Sequence, residues 1–197
     1  MKLAMTLAMA LAAFACLAGC SFLKPAQVTA RHFVLTPLPA TETARVATVA
    51  SSVAVVQVKI PAYLFNASLA VRRGDNEIDY SSEALWAERL DTGIPRVLTA
   101  DLSSLLPKER MRVAVGQSDG MATEIEIRIE QFDVNSSGQG VLVADWRILT
   151  PGEEQHLRSG ESRLSRHGPA PDTDPSGAIG TLSDLIADLS RQLAQAL

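Results

Sequence analysis

Cysteine is nearly missing from this chain: the only two, Cys16 and Cys20, lie close together near the N-terminus. Cleavage between them would leave no pair to form a disulfide, so an exported domain would have to be held by its own apolar core. Histidine is scarce as well. His32, His156 and His167 lie far apart, and none stands in an H-x-x-x-H or H-E-x-x-H context, so each is read as a solvent-facing strand or loop residue. There is no G-x-S-x-G elbow and no G-x-x-x-x-G-K-[ST] loop, which argues against nucleophilic hydrolysis and against ATP hydrolysis by the chain itself. Asp172 and Asp174 lack the regular spacing and terminal glutamate of a calcium loop. The chain is therefore expected to be no enzyme and to hold no metal. Charge of one sign is lacking too: 18 Lys and Arg stand against 22 Asp and Glu, with no long basic run, which argues against a nucleic-acid partner. Beyond Cys20 no apolar stretch approaches the ~20 residues of a membrane span. There is no internal repeat and no sign of a second folded domain.

What is present begins at the N-terminus. Met1 and Lys2 make a short positive start, and Leu3 to Leu17 is almost unbroken Ala, Leu, Met and Phe. Such a run is short for a membrane span and matches the apolar region of a signal peptide. It closes on Leu17-Ala18-Gly19-Cys20, which resembles a bacterial lipobox, with Cys20 becoming the acylated first residue. An ordinary secretory cut after Ala13-Phe14-Ala15 is the alternative. The expected organisation is a lipoprotein signal peptide over 1–19, a lipidated tether over 20–31 and a single domain over 32–197. No cofactor is expected beyond the covalent diacylglycerol and N-acyl lipid on Cys20, and several acyl chains on one residue suffice for stable anchoring. Fully extended, the tether after Cys20 reaches roughly 35 Å.

The domain reads as strands, a helix, a meander and a second helix. His32 to Thr36 predicts a first strand stopped by Pro37 and Pro39, with a loose loop to about Ala50. Val53 to Ile60 predicts a strand with Ala54, Val56, Val58 and Ile60 on one face. Gly74-Asp75-Asn76 predicts a hairpin turn between Ser68–Arg73 and Glu77–Tyr80. Ser81-Ser82-Glu83 offers a helix start or tight turn. Ile94 to Leu106 predicts a helix striped by Ile94, Val97, Leu98, Leu102 and Leu105, with Pro95 in the first turn and Pro107 as its stop. Thr123 to Gln131 alternates Ile125, Ile127 and Ile129 with charged residues. Val141 to Thr150 returns with Leu142, Ala144, Trp146 and Ile148, Pro151-Gly152 turns the chain, and a polar stretch from Gln155 to Ser165 predicts an edge strand. Asp174-Pro175 caps a last helix with Ile179, Leu182, Ile186, Leu189 and Leu193 on one face. The fold class expected is α+β: a mainly antiparallel sheet with two principal helices packed on one face.

Two features admit a functional reading. Tyr63-Leu64-Phe65 follows Pro61 in a short loop, where three large apolar groups either tuck under the sheet or meet a partner. Trp86 is either a core anchor or a partner contact. Tyr63, Leu64, Phe65 and Trp86 are the candidate docking residues.

Ile60-Pro61-Ala62-Tyr63-Leu64, Trp86-Ala87-Glu88-Arg89-Leu90, Val97-Leu98 leading into Leu102, then Phe132-Asp133 and Val143-Ala144-Asp145-Trp146 behind a lipobox resemble the ABC-type transport auxiliary lipoprotein family. One departure is visible: a polar stretch that usually follows Tyr-Leu is replaced by Phe65-Asn66-Ala67-Ser68, a greasier loop. The resemblance implies a non-enzymatic, periplasm-facing accessory of a transport system, docking an MCE-type periplasmic protein served by an ABC permease and ATPase that move phospholipid or other apolar cargo. Ser21 after the cysteine resembles outer-membrane sorting, which implies an outer-membrane anchor. A homo-oligomer is left open. The alternative is a structural lipoprotein that assembles or braces envelope components without handling lipid.

Overall fold

The computed structural model describes residues 29–39, 52–106, 112–115, 123–150 and 156–197. Cys20, the segment 1–19, most of the tether, the loop to Ala50, Pro107 and the Pro151-Gly152 turn lie outside the described residues.

Among the described residues eight strands form one sheet: β1 (Arg31–Phe33), β2 (Ser52–Lys59), β3 (Ser68–Gly74), β4 (Glu77–Trp86), β5 (Arg112–Val115), β6 (Thr123–Asn135), β7 (Gln139–Leu149) and β8 (His156–His167). The described residues also form helices α1 (Leu90–Leu105) and α2 (Pro175–Ala196) and a short 3-10 turn (Ala62–Phe65). The long strand β6 organises the sheet. Along one edge it pairs with β7, which pairs with β8; along the other it pairs first with β2 and then, at its end, with β3. β5 joins β2, while β4 and then β1 extend the sheet from β3.

The sheet is mixed, which corrects the mainly antiparallel expectation. β1–β4, β2–β5, β2–β6 and β3–β6 are parallel, and only β3–β4, β6–β7 and β7–β8 are antiparallel. The cause is the path between β2 and β5, which runs through β3, β4 and α1. A connection of that length lets the next strand enter in the same direction, whereas a tight hairpin would reverse it.

Both helices follow from local chemistry. In α2, Pro175 occupies the first turn, where a missing N–H costs nothing, and the Asp174 carboxylate accepts from Gly177 N at 3.0 Å. Its Ile179, Leu182, Ile186, Leu189 and Leu193 are all buried. α1 starts earlier than its apolar stripe indicates, at Leu90, with Asp91 in the first turn where the helix dipole favours an acid. Pro95 therefore falls in the second turn. The two helices, β2, β6 and β7 share one continuous core that includes Val97, Leu98, Ile125, Phe132 and Leu142.

Three local readings change. A bulge between Val55 and Gln57 switches the face of β2, so Val53 and Val55 enter the core before it and Val58 and Ile60 pack on the core after it. The face expected for Ala54, Val56, Val58 and Ile60 does not run through. Ser81–Trp86 is strand rather than helix start, because Ala84, Leu85 and Trp86 pair with Arg31, His32 and Phe33. β1 in turn ends at Phe33, where the chain leaves the sheet and drives Leu35 into the core. There Thr36 N donates to Ser183 Oγ at 3.2 Å and Leu38 N to Asp101 Oδ1 at 2.7 Å. β5 had no counterpart in the sequence reading.

Candidate docking site

The site arises from a gap in the sheet. β2 leaves β6 at the Lys59–Arg128 pair, and β3 rejoins it at the Val71–Val134 pair. Between these points, among the described residues, the edge of β6 has no neighbouring strand. The chain there forms the 3-10 turn Ala62–Phe65, begun by Leu64 N donating to the Pro61 carbonyl at 3.1 Å. A buried N–H at such a gap needs a partner from elsewhere. Tyr63 supplies it: the phenol oxygen accepts from Phe132 N at 3.0 Å and donates to Asp133 Oδ2 at 2.9 Å.

Asp133 is 2% exposed and anchors the arrangement. Arg72 of β3 donates to it from Nη2 at 2.7 Å and from Nε at 3.1 Å, and Gln131 Nε2 donates at 2.9 Å. The Arg72 guanidinium also reaches the Asp75 carbonyl at 3.2 Å, which ties the hairpin turn into the network. Burial, with the neighbouring carboxylate acting in the same direction, pushes the Tyr63 phenol well above the ordinary tyrosine value. The hydrogen bond from Arg72 to Asp133 raises the guanidinium's affinity for its proton. Tyr80 Oη donates to the Tyr63 carbonyl at 3.1 Å, and Ser68 N donates to Asn66 Oδ1 at 2.8 Å. The turn is fastened from both sides.

The four candidate docking residues separate by role. Leu64 and Trp86 are buried in the core, so neither offers surface to a partner. Tyr63 is half-buried and serves as the strut described above. Phe65 alone of the four stands out, 53% exposed, with the Arg89 guanidinium 5.4 Å from its ring centroid. Tyr80 is also exposed, and its bond to the turn brings a second aromatic to the same surface. The sequence reading missed Tyr80 and Arg89. The signal for Tyr80 is its alternation with Glu77 and Asp79, which puts it on the same strand face as Ile78.

Elsewhere, Asp172 and Asp174 have local partners, and the His156 side chain lies outside the described residues. Asp172 pairs with Arg73 at 2.9 Å, Asp174 caps α2, and His32 and His167 are exposed. Among the described residues no group of His, Cys, Asp or Glu is arranged to hold a metal ion, and no helix is long and apolar enough to cross a membrane.

A mixed sheet carrying two helices, with one aromatic turn fastened over a gap in its ladder, defines an α+β domain that presents a loop. Two solved structures share this fold. One is a crystal structure of an uncharacterized protein, 20% identical, with 85% of this chain and 97% of that one covered and a TM-score of 0.66. The other is a protein from Xanthomonas campestris, 12% identical, with 83% and 92% covered and a TM-score of 0.67. No curated protein matches the chain. The family is plain: the chain belongs to the ABC-type transport auxiliary lipoproteins, whose family model matches residues 33–194. It is thus a lipoprotein component auxiliary to ABC-type transport.

Proposed function

We propose that this chain is a membrane-anchored, periplasm-facing accessory lipoprotein that docks the conduit of an MCE-type lipid transport system at the outer membrane. Lipid on Cys20 supplies the anchor, and the tether lets the domain stand off the bilayer. The observation that carries the reading is Phe65, held out on a turn that four hydrogen-bonding side chains immobilise. Leaving about half of a phenylalanine exposed forgoes about 1 kcal/mol of burial, which a partner surface would recover. Because the turn is already ordered, docking loses little conformational entropy. A lipid crossing water must keep its chains covered, so a conduit needs a sealed junction at the membrane, and a short tether with a rigid contact suits that junction.

The test is a crosslinked pull-down of the lipidated protein from native envelopes, with mass spectrometry of the captured partners, for the wild type and for Phe65→Ser. The reading expects an MCE protein or its permease with the wild type, and loss of that partner in Phe65→Ser at an unchanged thermal midpoint. Recovery of only peptidoglycan or assembly factors would refute it and favour a structural lipoprotein.

A further inference from the structure

The sheet ends in strands of very different character. At two ends the terminal strands are short, β1 with 3 residues and β5 with 4, which leaves little backbone open to pairing. At the third end stands β8, with 12 residues. Its ladder with β7 runs unbroken from the Gln139–His167 pair to the Ile148–Arg158 pair, and among the described residues no strand covers its other edge. The stretch from Arg158 to His167 contains no proline and no bulge; the device that guards this edge is charge, on Arg158, Glu161, Arg163 and Arg166, which discourages any strand that does not carry complementary charges.

The side chains of β8 fit one occupant. Glu161 and Arg163 project on the face away from Ser162, with side chains 57% and 71% exposed, and bond to each other along the strand at 2.9 Å. If a second β8 runs antiparallel about a two-fold axis through Ser162, Glu161 lies opposite Arg163 of the second copy, and Arg163 opposite its Glu161. Opposite charges directly across a ladder stabilise it, so each contact of one copy is repeated in the other. Leu164 falls opposite Gly160, beside the ring of Trp146 that lies against that glycine. Arg166 falls opposite Arg158, but its charge is already met by Asp188 at 2.6 Å. β1, the first described strand, lies toward the opposite edge of the sheet, so this pairing does not cover it.

We propose that β8 is a self-association strand, through which two copies of this chain join their sheets edge to edge, antiparallel, about Ser162. The test uses the full-length lipoprotein in native envelopes and in detergent. In this register Ser159 of one copy faces Ser165 of the other. Co-expressed, differently tagged Ser159→Cys and Ser165→Cys chains should form a disulfide-linked pair, and either variant expressed alone should give far less. In detergent, Glu161→Arg and Arg163→Glu should each weaken the dimer about tenfold, since each places like charges across both symmetric contacts, and the double exchange should restore it. Equal disulfide yields in every combination would overturn the proposal, as would insensitivity to both charge reversals. So would capture of a different envelope protein by Ser165→Cys with no second copy. Because these side chains are exposed, an unchanged thermal midpoint shows that each variant is folded.

Discussion

Replacing Tyr63 with Phe removes one oxygen and leaves the ring in place. That oxygen makes two contacts that nothing else in the gap can make: it accepts from Phe132 N and donates to Asp133. Without it the Phe132 amide is left unpaired at a buried site, at a cost of about 1–3 kcal/mol. Asp133 loses one donor but keeps Arg72 and Gln131, so this second loss lies at the low end, about 1 kcal/mol. Together the change costs about 2–4 kcal/mol, which for a domain of this size lowers the thermal midpoint by roughly 4–16 °C. Circular dichroism melting of the two proteins under matched conditions measures it. The same substitution loosens the turn that carries Phe65, so partner capture should fall even at temperatures where the variant remains folded. A midpoint within a degree or two of the wild type would refute the argument that Tyr63 closes the gap in β6.

Four further outcomes follow from the same geometry. Phe65→Ser should leave stability within about 0.5 kcal/mol, because the ring is more than half exposed, while abolishing capture; a large loss of stability would show that the ring is core. The Tyr63 phenol holds its proton more tightly when folded, so the stability it contributes is intact below the ordinary tyrosine pKa of about 10 and is lost progressively as pH rises from there toward the raised folded value. Alkaline denaturation should therefore be steeper in the wild type than in Tyr63→Phe, a difference visible in urea melts above and below that pH. Asp188 behaves oppositely: the hydrogen bond from Arg166 holds its carboxyl below the ordinary range, so its contribution is present at neutral pH and lost on acidification. Asp188→Asn should cost under about 1 kcal/mol at neutral pH, since the pair is partly exposed, and should flatten the acid limb of the stability profile. Gly160→Ala places a Cβ 2.5 Å from the Trp146 ring, and the forced displacement should cost about 1–3 kcal/mol and change the near-ultraviolet dichroism of that tryptophan.

Helical elements were legible in the sequence because their information is local. The stripe from Ile179 to Leu193 and the Asp174-Pro175 start specify α2 by period and cap alone. The strands that alternate cleanly, Thr123 to Gln131 above all, were equally plain. What escaped was decided by neighbours distant in the chain. Ser81–Trp86 contains helix-compatible residues but is drawn into the sheet by β1. The bulge at Val56 reverses a face that strict alternation would have carried to Ile60. The mixed character of the sheet depends on which edge of β6 each strand joins, and no residue pattern records that choice. The aromatic turn is legible as a greasy Tyr-Leu-Phe, yet the division of labour within it rests on Asp133, 70 positions from Tyr63. A buried aspartate within an apolar strand end, Phe132-Asp133-Val134, was the available clue that something polar must come to meet it.

β2 and β3 lie one after the other on the same edge of β6, each with its own register. The chain between them is thus a detour whose two ends are pinned independently to one rod. Its length and composition can change without sliding either strand, provided some group still reaches the Phe132 amide and the Asp133 carboxylate. Relatives built on this plan can exchange their contact residues as readily as a tool holder accepts different bits, and recognition can diversify while the scaffold is inherited unaltered.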